Sequence, residues 1–252
     1  MDEVNKFFSY KNRIENNLGA EAFETENYLE VIKAFSRLTY QSLYVIDYEK
    51  KIFEYVSDNP LFLCNCTPEE VQNLGYLFYF KNVIKDDLEL LFKINEAGFN
   101  FFDKLPLEER KMHTISYDFH LVTENKSAIL INHKLTPLFL SKDGKMWKAM
   151  CIVSLSPNSS SGNINIYKQG TDDIWEYNLI AEKWTLRKKL RLSERELEIL
   201  RLYAQGLTIN EIAQKIFISA DTVKFHRRKL FEKLGVSNIT EALAYVTNNK
   251  LL

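Results

Sequence analysis

Lys224 and Arg228 stand four residues apart, with Phe225 beside the first and Arg227, Lys229 and Lys233 around them. In a helix, side chains four apart share a face. Val223, Leu230 and Leu234 recur at spacings of 7 and 4 and form a separate apolar stripe. One helix would thus pack on its own domain with one side and offer cations to a polyanion with the other.

The elements that must hold this helix are well marked. Ser193-Glu194-Arg195-Glu196, Thr208-Ile209-Asn210-Glu211 and Asn238-Ile239-Thr240-Glu241 each set a polar cap three residues before a Glu, the capping-box pattern. Ser219 caps a further helix. Gly206 and Gly235 stand where helices should stop, because glycine tolerates the left-handed geometry there. The spacing predicts helices over 194–205, 209–216, 220–234 and 239–249. Only Phe217-Ile218-Ser219 separates the second from the third, which is a helix-turn-helix connection.

Charge supports the same reading. The net charge of −1 hides 14 Lys+Arg against 7 Asp+Glu from Lys183 onward, leaving that segment about +7 and the rest about −8. A basic end on an acidic body suits a nucleic-acid module joined to something else. Three cysteines, Cys64, Cys66 and Cys151, cannot all pair with one another, which favours a reducing compartment. No signal peptide and no long apolar run is evident, so a cytoplasmic protein without membrane contact is expected.

The segment resembles the C-terminal DNA-binding domain of the LuxR family of bacterial transcription regulators, a four-helix module. The matching blocks are Leu192-Ser193-Glu194-Arg195-Glu196, Ala204-Gln205-Gly206, Glu211-Ile212-Ala213, Ile218-Ser219, Thr222-Val223-Lys224-Phe225-His226 and Lys233-Leu234-Gly235-Val236. They cover about 60 residues, a quarter of the chain. The resemblance implies that Lys224, Phe225 and Arg228 face base edges in the major groove. It implies phosphate-contacting or neighbouring roles for Thr208, Thr222, His226 and Lys233, and the cap Ser219 and the flanking cations Arg227 and Lys229 are further backbone-contacting candidates. The chemistry agrees: Lys and Arg can donate to guanine O6 and N7, an aromatic ring can meet a thymine methyl, and helix starts hold phosphate oxygens. His226, three after Val223 and four before Leu230, also fits the edge of the core. Ile209, Lys229 and Ile239 depart from the family pattern, so no operator sequence can be carried over.

Upstream, residues 1–41 read as a helical segment in which Tyr28, Val31, Phe35 and Leu38 form an apolar stripe, expected to pack on the following domain in preference to pairing with its copy in a second subunit. Residues 42–157 alternate runs such as SLYVID and KIFEYVS with polar turns, then helices, then ISYDFHLVT, SAILINHKLTPLFL and KAMCIVSLS. Two strands, helices and three strands predict an antiparallel α+β domain. That order is similar to a PAS domain, a small sheet that can enclose a cofactor or serve as a dimer surface. Residues 158–186 read as a linker with short strands, and 187–252 as the all-α module.

No catalytic constellation stands out: there is no Gly-rich phosphate loop, nucleophile elbow or HExxH pair. The pairs Asp86-Asp87 and Glu108-Glu109 read as solvated helix faces. His113, His120 and His133 are the candidate haem ligands, but a lone strand histidine is by default a satisfied or exposed side chain, and Cys64-x-Cys66 with a distant histidine is poor zinc spacing. Asn65-Cys66 runs into Thr67-Pro68, unlike the reactive cysteine sequence of flavin photoreceptors. No metal and no cofactor is predicted, while an unidentified small ligand in the PAS-like domain is compatible with the fold. The expected protein is a non-enzymatic, homodimeric regulator of transcription that binds double-stranded DNA, with RNA polymerase as a further candidate partner. The rival readings are a signalling adaptor whose helix-turn-helix binds protein, and a sigma-factor-like module.

Overall fold

A computed structural model describes residues 4–7, 28–123, 127–249 and 251. The chain divides into two compact units, Met1–Lys188 and Lys189–Leu252.

The first unit is built on one antiparallel sheet. After α1 (Tyr28–Ser36) come β1 (Ser42–Asp47) and β2 (Ile52–Val56), then α2 (Pro60–Leu63), α3 (Pro68–Leu74), α4 (Leu77–Asn82) and α5 (Lys85–Asp103). β3 (His113–Val122), β4 (Ala128–Leu140) and β5 (Met146–Leu155) follow. The first five strands lie in the order β2-β1-β5-β4-β3. This is the α+β architecture expected, with the PAS-like succession of strand pair, helices and three strands.

Local chemistry starts these elements where the sequence indicated. Thr67 accepts from the Glu70 N–H while the Glu70 carboxylate accepts from the Thr67 N–H, so α3 opens on a complete capping box. In β3, Tyr117, Phe119 and Leu121 point into the core. There they join Tyr44 and Ile46 of β1, Phe53 of β2 and Phe62, Phe78, Ile94 and Phe99 of the helices.

Three features differ from expectation. β6 (Gly162–Lys168), β7 (Asp173–Asn178) and β8 (Lys183–Lys188) are not a linker unit but extend the same sheet outward from β3. The reason is the free edge of β3, which pairs with β6 from His113↔Lys168 to Asp118↔Gly162. This pairing buries Ile164 and Ile166 and satisfies an edge that would otherwise attract other strands. Second, the α1 stripe does not pack as expected. Val31 is 70% exposed, Phe35 46% and Leu38 83%, and Ile32 is the buried residue instead. α1 is held by polar contacts, Tyr28 to Glu54 and Ser36 Oγ to Tyr55 Oη at 2.8 Å. Residues 8–27 of the expected helical segment lie outside the described ones. Third, Asp87 is not on a solvated face. It is buried and accepts from the His120 backbone N–H at 2.6 Å and pairs with His120 Nδ1 at 2.7 Å, fastening the start of α5 to β3.

The second unit is all α: α6 (Glu194–Ala204), α7 (Ile209–Lys215), α8 (Ala220–Leu234) and α9 (Ile239–Asn248). Two small apolar clusters hold it. Ile199, Leu202, Ile212, Ala213 and Val223 join α6, α7 and the start of α8. Leu200, Leu230, Leu234, Ala242 and Val246 join α6, the end of α8 and α9. Among the described residues no helix is long and apolar enough to cross a membrane.

Candidate nucleic-acid interface

α8 is placed by its neighbours rather than by its own propensity. Ser219 opens it by accepting from the Thr222 N–H at 3.1 Å, and Gly235 closes it at φ 67°. Val223, Leu230 and Leu234 are buried in the two clusters, as the stripe predicted. α7 sits before it on the complete Thr208–Glu211 capping box, and α6 on the Ser193–Glu196 box. At α9 only half of the expected box forms. Asn238 accepts from the Glu241 N–H, whereas the Glu241 carboxylate accepts from the Ser237 N–H.

Lys224, Phe225, Arg228 and Lys229 lie together on the solvent side of α8. Phe225 is the centre of this face: Lys229 Nζ lies 4.7 Å and Arg228 Cζ 5.8 Å from its ring centroid. The cations therefore stand over an aromatic face, a favourable arrangement that also holds Phe225 outward. Arg227 lies over Phe231 at 5.9 Å on the flank. His226 is half-buried with its ring 5.8 Å from Phe225, so it stands at the border between core and outer face.

The hydroxyls and remaining cations are engaged within the domain. Thr208 Oγ1 donates to Glu211 Oε2 at 2.7 Å, and Ser219 Oγ and Thr222 Oγ1 are 2.8 Å apart. Lys233 Nζ pairs with Glu196 Oε2 at 2.8 Å, joining the end of α8 to the start of α6. Burial pushes the Glu196 carboxyl up, but Lys233 and the hydrogen bonds from Ser193 outweigh it and hold the group below the usual carboxylate range. Of the departures from family pattern, Ile209 and Ile239 pack against the two apolar clusters.

Sequence reasoning missed two carboxylates on this face. Asp221 Oδ1 lies 3.0 Å from Lys224 Nζ, and Glu232 Oε1 lies 3.9 Å from Arg228 Nε. Their i,i+3 and i,i+4 spacings were legible signals. Both pairs are exposed, so each is weak and opens at little cost. It also missed Arg195, which donates to the Ile216 carbonyl at 3.2 Å and so braces the turn between α7 and α8. Phe217 in that turn has φ 55° and is 93% exposed.

The three histidines named as haem candidates are separated into different hydrogen-bonding environments. His113 Nδ1 lies 2.9 Å from the Glu109 carbonyl, His120 pairs with Asp87, and His133 Nε2 lies 2.5 Å from Tyr44 Oη. Among the described residues no group of three or more His, Cys, Asp or Glu is arranged to hold a metal.

Residues 190–246 match the family described as bacterial regulatory proteins, luxR family. Oxygen regulatory protein NreC of Staphylococcus aureus (strain JH9) is 46% identical over 61 residues, 24% of this chain and 28% of that protein. The chain thus matches less than a third of the length of these curated relatives. Among solved structures, the response regulator ChrA of a heme-sensing two-component system is 42% identical over 26% of this chain and 32% of its own, with a TM-score of 0.24. VqmA of Vibrio cholerae aligns over 88% of both chains at 16% identity and a TM-score of 0.34. The C-terminal unit carries a LuxR-family helix-turn-helix domain.

Proposed function

We propose that this protein is a sequence-specific, DNA-binding regulator of transcription whose α8 enters the major groove. One observation carries the reading: a capped helix buries Val223, Leu230 and Leu234 on one side and exposes Lys224, Phe225 and Arg228 on the other. Lys224, Phe225 and Arg228 meet base edges. Thr208, Ser219, Thr222, His226, Arg227, Lys229 and Lys233 contact or border the phosphates.

In this reading residues 187–252 are the DNA-binding domain, and the PAS-like domain upstream senses a signal or mediates dimerisation. A homodimer would read two half-sites about one helical turn, ~10 bp, apart. The protein works in the cytoplasm and catalyses no reaction.

The test is salt dependence of binding by the full chain to fragments selected from the source genome. Log affinity should fall linearly with log salt at a slope of about −0.9 per phosphate neutralised. Salt-insensitive binding to a protein partner, with no DNA retained at any salt, defeats the proposal.

A further inference from the structure

Asp221 stands one turn before the cations of α8 and on their side. It is the second residue of the helix, and with Lys224, Phe225 and Arg228 it lines one open groove along α8. Its carboxylate lies 3.0 Å from Lys224 Nζ, and the two side chains are 89% and 56% exposed. A carboxylate on a surface that meets a polyanion opposes the attraction to every sequence alike. It favours binding only where it meets a donor, and the major groove offers two, the cytosine N4 and adenine N6 amino groups.

The spacing of the pair selects between them. In a G·C pair the guanine O6 accepts from the cytosine N4 amino group, so acceptor and donor stand about 2.9 Å apart at the groove edge. Lys224 Nζ and Asp221 Oδ1, 3.0 Å apart, match that pair of atoms. The ammonium donates to O6 and the neighbouring N7, and the carboxylate accepts from N4. Against an A·T pair, a carboxylate that accepts from adenine N6 stands beside the N7 acceptor, and the ammonium stands beside the thymine methyl. Both contacts are unfavourable.

Position along the helix agrees. The reading helix of a helix-turn-helix meets base edges with its N-terminal residues, and Asp221 lies in the first turn of α8. Glu232 lies two residues before the end of α8, and its carboxylate is 3.9 Å from Arg228 Nε, beyond hydrogen-bond distance.

We propose that Asp221 and Lys224 together read one G·C pair, Lys224 on the guanine and Asp221 on the cytosine amino group. The proposal rests on α8 as the DNA-reading helix. Asp221 is then a specificity-determining residue, which lowers the affinity for DNA in general and raises the contrast between sequences.

The full-length protein is used to select duplexes from a randomised pool. Binding is then measured with the cytosine of each selected G·C pair replaced in turn by N4-methylcytosine. The methyl group blocks the major-groove side of the amino nitrogen and leaves the Watson–Crick hydrogen bond in place. At one pair per half-site the wild type should lose about tenfold in affinity, and Asp221→Ala should lose nothing there. The variant should bind duplexes of random sequence at least as tightly as wild type, since an anion has left the surface. Selection repeated with the variant should no longer enrich that cytosine. Equal sensitivity of the two proteins to the methyl group, or an unchanged preference in the variant's selected sites, overturns the proposal and leaves α8 as the DNA reader. A loss by the variant that is the same on every duplex overturns it too, because the carboxylate then serves only the start of the helix. No duplex retained by the wild-type chain at low salt overturns both readings.

Discussion

Lys233, in the last turn of α8, is tied to Glu196 at 2.8 Å, and that same carboxylate closes the capping box at the first helix of the domain. One acidic side chain thus fixes both the start of α6 and the end of α8. Lys233 borders the DNA face in the proposal, and in the structure it also ties the end of α8 to the start of α6.

Glu196→Ala should therefore destabilise the C-terminal unit by about 1–2 kcal/mol, from the lost cap and a partly covered ion pair. The Glu196 carboxyl is depressed in the folded state. Its contribution is thus present above the usual glutamate value and is lost as pH falls through the folded value. Unfolding of wild type and variant in denaturant across acid to neutral pH checks this: the two should converge in acid.

Lys224→Ala or Arg228→Ala should weaken the cognate site by about 1–3 kcal/mol and blur its sequence preference. Neither side chain is buried, so both variants should keep the wild-type melting temperature. A binding loss accompanied by a stability loss would mean that the residue acts through the fold.

Leu230→Ala should cost about 2–5 kcal/mol, because Leu230 is buried in the cluster that α8 shares with α6 and α9. DNA binding should fall only as far as the folded fraction falls. Thermal unfolding and binding measured on the same sample separate the two effects.

His133 gives the N-terminal unit an acid limb. Burial pushes its imidazole down to about 3, far below its unfolded value near 6.5. The unfolded chain alone takes up the proton between these values, so stability falls as pH drops through that window. The cost is about 1.4 kcal/mol per pH unit. His133→Gln keeps a polar partner for Tyr44 and should flatten that slope in calorimetry.

Asp118 acts with the opposite sign. It is buried, and Asn132, Asn158 and Asn163 donate to its carboxylate at 2.6–2.8 Å. Burial raises its folded-state value despite those donors. The folded chain therefore holds the proton to higher pH than the unfolded one, and this contribution is lost as pH rises through the raised value. The wild-type stability curve minus that of Asp118→Asn should slope downward from the usual aspartate range toward neutrality.

The sequence by itself determined the C-terminal module almost to the residue. Ser193, Thr208, Ser219 and Gly235 act on backbone groups within four positions of themselves, and the α8 stripe repeats within one helix. Such signals are local, so composition and spacing suffice to read them. The α+β order upstream was legible for the same reason, from alternation within single strands. What only the tertiary structure decided depends on residues far apart in the chain. The edge of β3 recruited β6 to β8 into the sheet because an open edge must be paired, and no spacing within 158–186 announces which strand offers one. Asp87 is buried because His120, 33 residues later, meets it across the fold. His113 is buried only once the fold closes over its strand. A strand histidine reads alike whether it faces water or lines a cavity, and burial, a property of the whole fold, makes the difference.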